Sequence, residues 1–279
     1  MRQGDIYVAM MRWLSVARSW PEIDPTAAEI ARGETEFLSP ITAEDGLFAQ
    51  ELTLKQAYDR WPLGWGDTPT PLHVVEEPLL RRLLLDQAPT ALLNAGCGTG
   101  RHTARMLSAG HTVVGVDSNE AMLARARVEL PQATFRVGDL QRLPLDDHSV
   151  GGALCSLTIG YEPNVRAPIA ELVRVIRPGG RLILTEVHPA SVMIGLHVYV
   201  PSPDPDVLLW VRKHAHLVED YLSAFRAHNL VVNDCHELPW SRAALMRSDL
   251  PGAGDGKVML RALLGWPALL AWDVQVGGR

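Results

Sequence analysis

The sequence predicts an α/β fold built on a parallel sheet. Between about Leu79 and Val187, short apolar runs rich in β-branched residues alternate with segments whose apolar residues recur at helical spacing. This alternation is typical of parallel strands joined by crossover helices. The first apolar run leads into a glycine-rich loop, in the stretch LLNAGCGTGRH at residues 92–102. Because sheets of this kind bind ligands beyond the carboxyl ends of their strands, the loop marks a candidate binding site.

Local signals define the first half of this region. Gly110 suits the left-handed position after a helix, and Ser118 is the expected N-cap of the helix that follows Asp117. The predicted elements are, in order, a strand at Ala91–Leu93, a helix at Thr103–Ala109, a strand at His111–Val116 and a strand at Ala133–Val137.

The second half contains a proline and glycine stop signal at 177–180, and Asn229 suits a left-handed helix end. The predicted elements here are a strand at Gly152–Leu157, a helix at Val165–Ile176, a strand at Arg181–Val187, a helix at Leu217–His228, a short run at Leu230–Val232 and an edge strand at Pro267–Val276.

Composition excludes several classes of protein. The 279 residues are 47% hydrophobic, too apolar for a disordered chain, and a net charge of −6 without a basic run disfavours nucleic-acid binding. The three cysteines, Cys97, Cys155 and Cys235, are far apart, which predicts reduced thiols in a cytoplasmic protein and no metal site. Residues 1–20 lack a signal-peptide cleavage site, and no apolar run reaches 18 residues, so export and membrane insertion are not expected.

Residues 1–75 lack the strand and helix alternation. They hold four of the eight tryptophans, Trp13, Trp20, Trp61 and Trp65, and are predicted to form a helical cap over the sheet. Trp61 and Trp65 are equally consistent with a lid over the ligands and with core packing. Residues 76–279 then form the ligand-binding domain, with an insertion at about 189–216 that helps to build a pocket.

Three interpretations of the glycine loop compete. A dinucleotide fingerprint requires GxGxxG, but Arg101 stands at the third glycine position. A phosphate-binding P-loop requires a lysine that the loop lacks. The spacing of Gly96, Gly98 and Gly100 instead resembles the first motif of class I S-adenosylmethionine-dependent methyltransferases.

Further motifs extend this resemblance over roughly residues 79–190, and the type 11 small-molecule branch is the most similar. Asp117 ends the second strand, and Gly138-Asp139-Leu140 ends the third. Similar motifs follow at Leu143-Pro144-Leu145, at Ala153–Leu157 and in Glu171–Gly180. The resemblance implies a Rossmann-like, doubly wound, mainly parallel seven-stranded sheet with helices on both faces.

The resemblance also implies site residues. Asp117 would accept hydrogen bonds from both ribose hydroxyls, Asp139 would meet the adenine amino group, and Leu140 would pack on the ring. The full set of cofactor-binding candidates is Tyr58, Asn94, Gly96, Cys97, Gly98, Asp117, Ser118, Met122, Asp139, Leu140, Cys155 and Ser156.

Two positions depart from the family pattern. Asn94 stands where an acidic residue usually anchors the loop or contacts the cofactor's ammonium group, and an amide can accept a hydrogen bond but carries no charge. Gly151 stands where the family tends to have Asp, a loss that we interpret as structural.

Candidates for a general base lie after the fourth and fifth strands, where a methyl acceptor would sit. Tyr161, His188 and His214 are the chosen candidates, with Glu186 and His216 also considered. A structural role is as plausible for His188, and a solvated position is favoured for His214.

The resemblance therefore implies methyl transfer from S-adenosylmethionine, with release of S-adenosylhomocysteine. We expect the acceptor to be a small, aromatic or heterocyclic metabolite of natural-product type. The expected partners are this acceptor and, as a candidate, a second copy in a homodimer. Two alternatives stay open: a protein that binds the cofactor without transferring its methyl group, as a rearrangement catalyst or binding module, and a nicotinamide-dependent oxidoreductase.

Overall fold

The computed structural model describes residues 48–60, 70–85, 88–200, 202–204, 207–246 and 262–278. The strands of this part of the chain are β1 (Phe48–Glu51), β2 (Ala91–Ala95), β3 (Thr112–Asp117), β4 (Thr134–Val137), β5 (Val150–Ser156), β6 (Ile176–Val187), β7 (Val198–Val200), β8 (Val207–Val211), β9 (Leu230–Pro239) and β10 (Pro267–Val276). The helices are α1 (Leu54–Arg60), α2 (Pro71–Leu85), α3 (Arg101–Ser108), α4 (Glu120–Glu129), α5 (Arg166–Val175), α6 (Pro189–Met193), α7 (Val218–Ala227) and α8 (Arg242–Met246), with a 3₁₀ turn at Ile159–Tyr161.

The chain divides into two compact units. The first comprises residues 1–75, 197–212 and 239–267, and the second comprises residues 76–196, 213–238 and 268–279. The described part of the first unit includes a three-stranded sheet in which β8 pairs with β1 in parallel and with β7 antiparallel. The helical cap predicted for residues 1–75 stays a prediction, since most of that segment, including Trp61 and Trp65, lies outside the described residues.

The second unit contains a seven-stranded sheet in the order β4-β3-β2-β5-β6-β10-β9. Strands β2 to β6 run parallel to one another, and β10 runs antiparallel to β6. The predicted doubly wound, mainly parallel fold is confirmed. The prediction of an edge strand at 267–276 is wrong, because β10 lies between β6 and β9, and eight of its ten residues are buried.

Apolar side chains cover both faces of this sheet. Because successive residues of a strand point to opposite faces, Leu92 and Leu93 enter different cores. Leu93 joins a core with residues of α5 and α7, whereas Leu92 joins a core with residues of α2 and α3. Helices therefore pack on both faces, and the loops that follow the parallel strands meet at one edge of the sheet.

Most element boundaries agree with the sequence within a few residues. Gly110 and Asn229 both have the predicted positive φ, at 87° and 53°. The predicted capping residue is wrong: Asn119, rather than Ser118, is the N-cap of α4, and its side chain accepts a hydrogen bond from the amide of Met122. The sixth strand begins at Ile176, before the stop signal that was expected to precede it.

No helix in the described ranges is long and apolar enough to cross a membrane.

An ion pair joins the two central antiparallel strands β6 and β10. The Arg181 guanidinium donates to both carboxylate oxygens of Asp273 at 2.6 Å and also donates to the carbonyl of Leu83 at 3.2 Å. The Asp273 side chain is only 7% exposed. Removing one partner would leave a charge in the interior without its counterion.

We predict that Arg181→Met lowers the free energy of unfolding by about 3 kcal/mol, because Asp273 then stays buried and unpaired. Urea denaturation measures this loss. The control is Arg125→Met, which breaks the more exposed pair of Arg125 with Glu129 and should cost less than about 1 kcal/mol. Equal losses in the two variants would contradict the role given to the Arg181 pair.

Candidate functional site

The glycine loop connects β2 to α3 and requires glycine for two different reasons. Gly96, Gly98 and Gly100 all have positive φ, at 69°, 52° and 93°, a region that side chains other than glycine rarely adopt. A Cβ atom on Gly96 would lie 2.3 Å from the hydroxyl oxygen of Thr158, whereas one on Gly98 would meet no atom within 4 Å. Gly96 therefore packs against the protein, and Gly98 faces open space in which a ligand can approach the backbone.

The carboxylate of Asp117, at the end of β3, holds this loop in place. Its Oδ2 accepts a hydrogen bond from the amide of Gly98 at 2.8 Å, and its Oδ1 accepts one from the amide of Asn119 at 2.9 Å. Burial raises the pKa of Asp117, although these amides partly offset the rise. Each carboxylate oxygen has a second lone pair, so the group can still accept from two ligand hydroxyls.

Asn94 lies inside the protein at the end of β2. Its side chain is 2% exposed, and its Nδ2 donates to the hydroxyl oxygen of Thr103 at 3.0 Å. This bond connects the strand before the glycine loop to the first turn of the helix after it. The amide therefore anchors the loop from within, which is one of the two roles that the sequence left open for this position.

Glu76, a residue that the sequence analysis missed, is the most connected carboxylate of the site. It lies on α2 and is fully buried. One carboxylate oxygen, Oε1, contacts Arg101 and lies 3.3 Å from Nε2 of His102. The other, Oε2, accepts hydrogen bonds from the hydroxyls of Ser156 at 2.8 Å and Thr185 at 3.0 Å. The carboxylate thus joins α2 to α3, β5 and β6.

The electrostatics of this network favour a charged Glu76. Burial by itself would raise the pKa of Glu76, but the hydrogen bonds and charges of His102 and Arg101 outweigh it, and its pKa is held below the ordinary value. Burial lowers the pKa of His102. Arg101 is therefore the cation that compensates Glu76, which also accounts for an arginine at the position where a dinucleotide fingerprint needs glycine.

Helical periodicity could have revealed Glu76. It precedes Leu79, Leu80 and Leu83 by three, four and seven residues, so it shares their buried face of α2. A carboxylate on an otherwise apolar helix face predicts a partner in the interior.

The two cysteines proposed as cofactor contacts are both buried. Cys155 is fully buried in the core, and burial raises its pKa to about 12. Burial also raises the pKa of Cys97, which lies inside the glycine loop. Neither thiol is ionised near neutral pH, so both act through packing rather than as nucleophiles.

The turn after β4 carries Asp139 and Leu140. Asp139 is exposed, and its Oδ1 accepts a hydrogen bond from the amide of Gln141 at 2.7 Å. Leu140 is buried and belongs to the core that includes Leu143. An outward carboxylate beside an inward leucine provides one polar and one apolar contact at the edge of the sheet.

A buried ion pair organises the turn after β5, beside the general-base candidate Tyr161. The ammonium of Lys213 donates to the carbonyl of Leu157 at 2.6 Å and to Oε1 of Glu186 at 3.0 Å, and it lies 3.6 Å from the centre of the Tyr161 ring. The other oxygen of Glu186 accepts from the amide of Gly160 at 2.6 Å. The pair therefore fixes both the backbone of the turn and the aromatic ring.

Lys213 was not predicted from the sequence, and Glu186 was considered only as a base. Burial lowers the pKa of Lys213, while the Glu186 carboxylate opposes this change. Two desolvated charges are stable only when well paired, and here each charge also binds a backbone group. Glu186 is therefore occupied by structural contacts.

His188 uses both ring nitrogens in contacts of its own. Its Nδ1 accepts a hydrogen bond from the amide of Ala190 as the N-cap of α6, and its Nε2 lies 3.4 Å from the carboxylate of Glu237. This arrangement supports the structural role weighed for His188 over that of a general base.

The other two histidines lie on the segment that follows Lys213. The amide of His214 donates to the carbonyl of Gly160 at 2.8 Å, and the ring of His216 lies 2.8 Å, through Nε2, from the carbonyl of Glu162. The two rings stack with their centres 6.0 Å apart. The structure therefore brings the backbone of His214 beside the turn that carries Tyr161.

Three further cofactor candidates have only partial support. Ser118 is exposed just after Asp117, and Met122 is half-buried on the first turn of α4. Tyr58 is half-buried on α1, in the first compact unit. Their contacts with a cofactor stay predictions.

Comparison with known sequences gives one family. A family model described as a methyltransferase domain matches residues 93–184. An uncharacterized methyltransferase of Mycobacterium tuberculosis is 41% identical over 99 residues, which are 36% of this chain and 40% of that protein. The chain thus matches about two fifths of the length of the first such relatives. A demethylmenaquinone methyltransferase of Clavibacter sepedonicus is 27% identical over 236 residues, covering 81% of this chain and 89% of that protein.

Solved structures agree on the fold. The crystal structure of an S-adenosylmethionine-dependent methyltransferase from Mesorhizobium loti superposes with a TM-score of 0.57 at 21% identity, and the match covers 72% of this chain and 97% of that one. Residues 93–184, which carry the glycine loop and Asp117, therefore resemble a methyltransferase domain, and the seven-stranded sheet has the fold of S-adenosylmethionine-dependent methyltransferase structures.

Proposed function

We propose that this protein transfers a methyl group from S-adenosylmethionine to a small aromatic or heterocyclic metabolite. The observation that carries the proposal is the pairing of an open backbone at Gly98 with the Asp117 carboxylate, 2.8 Å away at the edge of the sheet. A carboxylate that can accept hydrogen bonds from two hydroxyls, next to a backbone without a side chain, suits a ribose. The chain joined to that ribose would be a thioether or sulfonium chain without phosphate groups. The loop has no lysine, and Arg101 is already paired with Glu76. The loop therefore offers little positive charge to a pyrophosphate.

The remaining cofactor contacts follow along the same edge. Asp139 would accept the adenine amino group and Leu140 would pack on the ring, as the family resemblance implies. Ser118 and Met122 would line the ribose side, and Ser156, held by Glu76, would face the methionine end.

The chemistry then depends mainly on position. When bound, S-adenosylmethionine would supply a methyl group activated by the sulfonium. The acceptor atom would attack that methyl carbon in line as the carbon–sulfur bond breaks, and S-adenosylhomocysteine would leave. Holding the reactants at attack distance in a dry pocket contributes up to roughly 7–11 kcal/mol in favourable cases. Tyr161 and His214 would orient the acceptor and take its proton where the acceptor is a phenol or quinol.

Two observations support an aromatic acceptor. The turn after β5 presents a fixed tyrosine ring beside the His214 backbone, and such surfaces suit flat molecules with a few polar groups. The relative from Clavibacter sepedonicus is named as a demethylmenaquinone methyltransferase. A quinone of this kind has a flat ring system. Cytoplasmic location and natural-product metabolism are parts of the same proposal.

We predict that the protein binds S-adenosylmethionine and S-adenosylhomocysteine in the micromolar range and binds NAD at least tenfold more weakly. Isothermal titration calorimetry with each ligand measures this. Tighter binding of NAD would overturn the proposal. If the protein binds S-adenosylmethionine tightly but releases no S-adenosylhomocysteine with any acceptor tested, the result favours the alternative in which the cofactor is bound and its methyl group is not transferred.

We predict that Asp117→Asn weakens S-adenosylhomocysteine binding by about tenfold or more, because hydrogen bonds to a charged group contribute roughly 1.5–3 kcal/mol each. Cys97→Ala is the matched control, since its buried thiol belongs to the same loop and should change the dissociation constant less than threefold. Similar, small changes in both variants would show that the ribose site lies elsewhere.

We predict that phenols and naphthoquinols release S-adenosylhomocysteine in the presence of the enzyme and that aliphatic carboxylates do not. Tyr161→Phe should lower kcat by about 10²-fold, in the range of a lost general base, while leaving cofactor affinity unchanged, because the ring stays over Lys213. Tyr221→Phe, a core tyrosine, is the control. Methylation of carboxylates alone would contradict the aromatic acceptor.

A further inference from the structure

The segment between β4 and β5 depends on side-chain contacts for its shape. Residues 138–149 include no helix or strand other than a single bridge between Asp139 and Arg142. Asp139 and Leu140, the candidate adenine-binding residues, lie at the start of this segment. Whatever fixes this segment therefore also fixes the position of their side chains.

Arg174, on the last turn of α5, makes most of these contacts. Its guanidinium donates to the carbonyls of Leu143 at 3.1 Å and Leu145 at 2.8 Å, and to the carboxylate of Asp147 at 2.8 Å. Glu171 accepts from Arg174 through both oxygens and also accepts from the amide of Leu143 at 2.9 Å. Arg174 and Glu171 together hold both the amide and the carbonyl of Leu143.

Short links carry this constraint from Leu143 back to Asp139. The amide of Arg142, the preceding residue, donates to the carbonyl of Asp139 at 3.1 Å. Pro144 packs so closely on Gly138 that a Cβ there would lie 2.5 Å from its ring. The turn that carries Asp139 is thus held on both sides by the residues that Arg174 binds.

These contacts differ from those of an ordinary surface ion pair. The Arg174 side chain is 31% exposed, yet it binds two carboxylates and two backbone carbonyls at once. A guanidinium has a rigid fork of donors that a flexible ammonium cannot reproduce. The hydrogen bonds with Glu171 and Asp147 raise the pKa of Arg174, and those with Arg174 lower the pKa of Glu171, so both groups stay charged.

We infer that Arg174 is a positioning residue for base recognition, which holds the turn of Asp139 and Leu140 in the geometry that accepts adenine. The inference rests on the proposed use of S-adenosylmethionine. By this inference α5, which packs on one face of the sheet, contributes to the selectivity of the cofactor site at the edge of the sheet.

The test compares two ligands that differ only at the base. S-adenosylhomocysteine has the exocyclic amino group of adenine, and S-inosylhomocysteine has an oxygen in its place. The wild-type protein should bind the first about tenfold more tightly, because Asp139 accepts from the amino group. In Arg174→Met the affinity for S-adenosylhomocysteine should fall by about tenfold, and the ratio between the two ligands should approach one.

Arg177→Met is the matched control. Arg177 lies one turn further on, at the start of β6, and likewise donates to two loop carbonyls, those of His148 and Ser149 at 3.1 Å, but these belong to the end of the segment away from Asp139. Its affinities and their ratio should stay within twofold of the wild type. Arg174→Lys, which keeps the charge beside Glu171 but cannot bind both carbonyls, should give an intermediate ratio and covers the case in which Arg174→Met does not fold.

The outcomes separate the inference from the proposed function. A wild-type protein that binds neither ligand would overturn the proposed function itself. A wild-type protein that binds both equally, or Arg174 variants that keep the wild-type ratio, would overturn the inference alone, even if the variants are less stable. A ratio that falls in the Arg174 variants and not in Arg177→Met supports it.

Discussion

The rest of the site depends on the interactions of the buried Glu76 carboxylate. A charge in the interior must be paired and hydrogen-bonded, and Glu76 obtains its partners from α3, β5 and β6. Arg101, directly after the glycine loop, and Ser156, at the end of the neighbouring strand β5, are thereby held in place. Because α3 begins directly after this loop, fixing its first turn also fixes the backbone that a cofactor would approach.

Glu76 also gives a physical reason for the unusual Asn94. A carboxylate at position 94 would add a second buried negative charge to the interior that already contains Glu76, and its pKa would rise in response. The amide avoids this charge and donates to Thr103 instead. In this chain the buried negative charge of the region comes from α2, before the first strand of the large sheet, rather than from the strand that leads into the loop.

The fold and the left-handed backbone of the glycine loop could be predicted from sequence, because their signals are local, whereas the contacts with a cofactor stay predictions. The glycines at 96, 98 and 110 are recognised from their spacing after a strand or a helix, and Asp117 is recognised from its place at the end of β3. The interactions that the sequence did not reveal join distant residues: Glu76 binds a hydroxyl 109 residues away, and Lys213 binds a carboxylate 27 residues away. The position of β10 between β6 and β9 was missed for the same reason, since an apolar run does not specify its neighbours.

The central claim is that Gly98, Asp117 and Asp139 form one binding edge for S-adenosylmethionine, and a crystal structure of the protein with S-adenosylhomocysteine tests it most directly. The account predicts both ribose hydroxyls on the Asp117 carboxylate, the adenine amino group at Asp139, and the homocysteine chain passing over Gly98. A ligand bound at another place, or bound here with its base away from Asp139, would contradict the account.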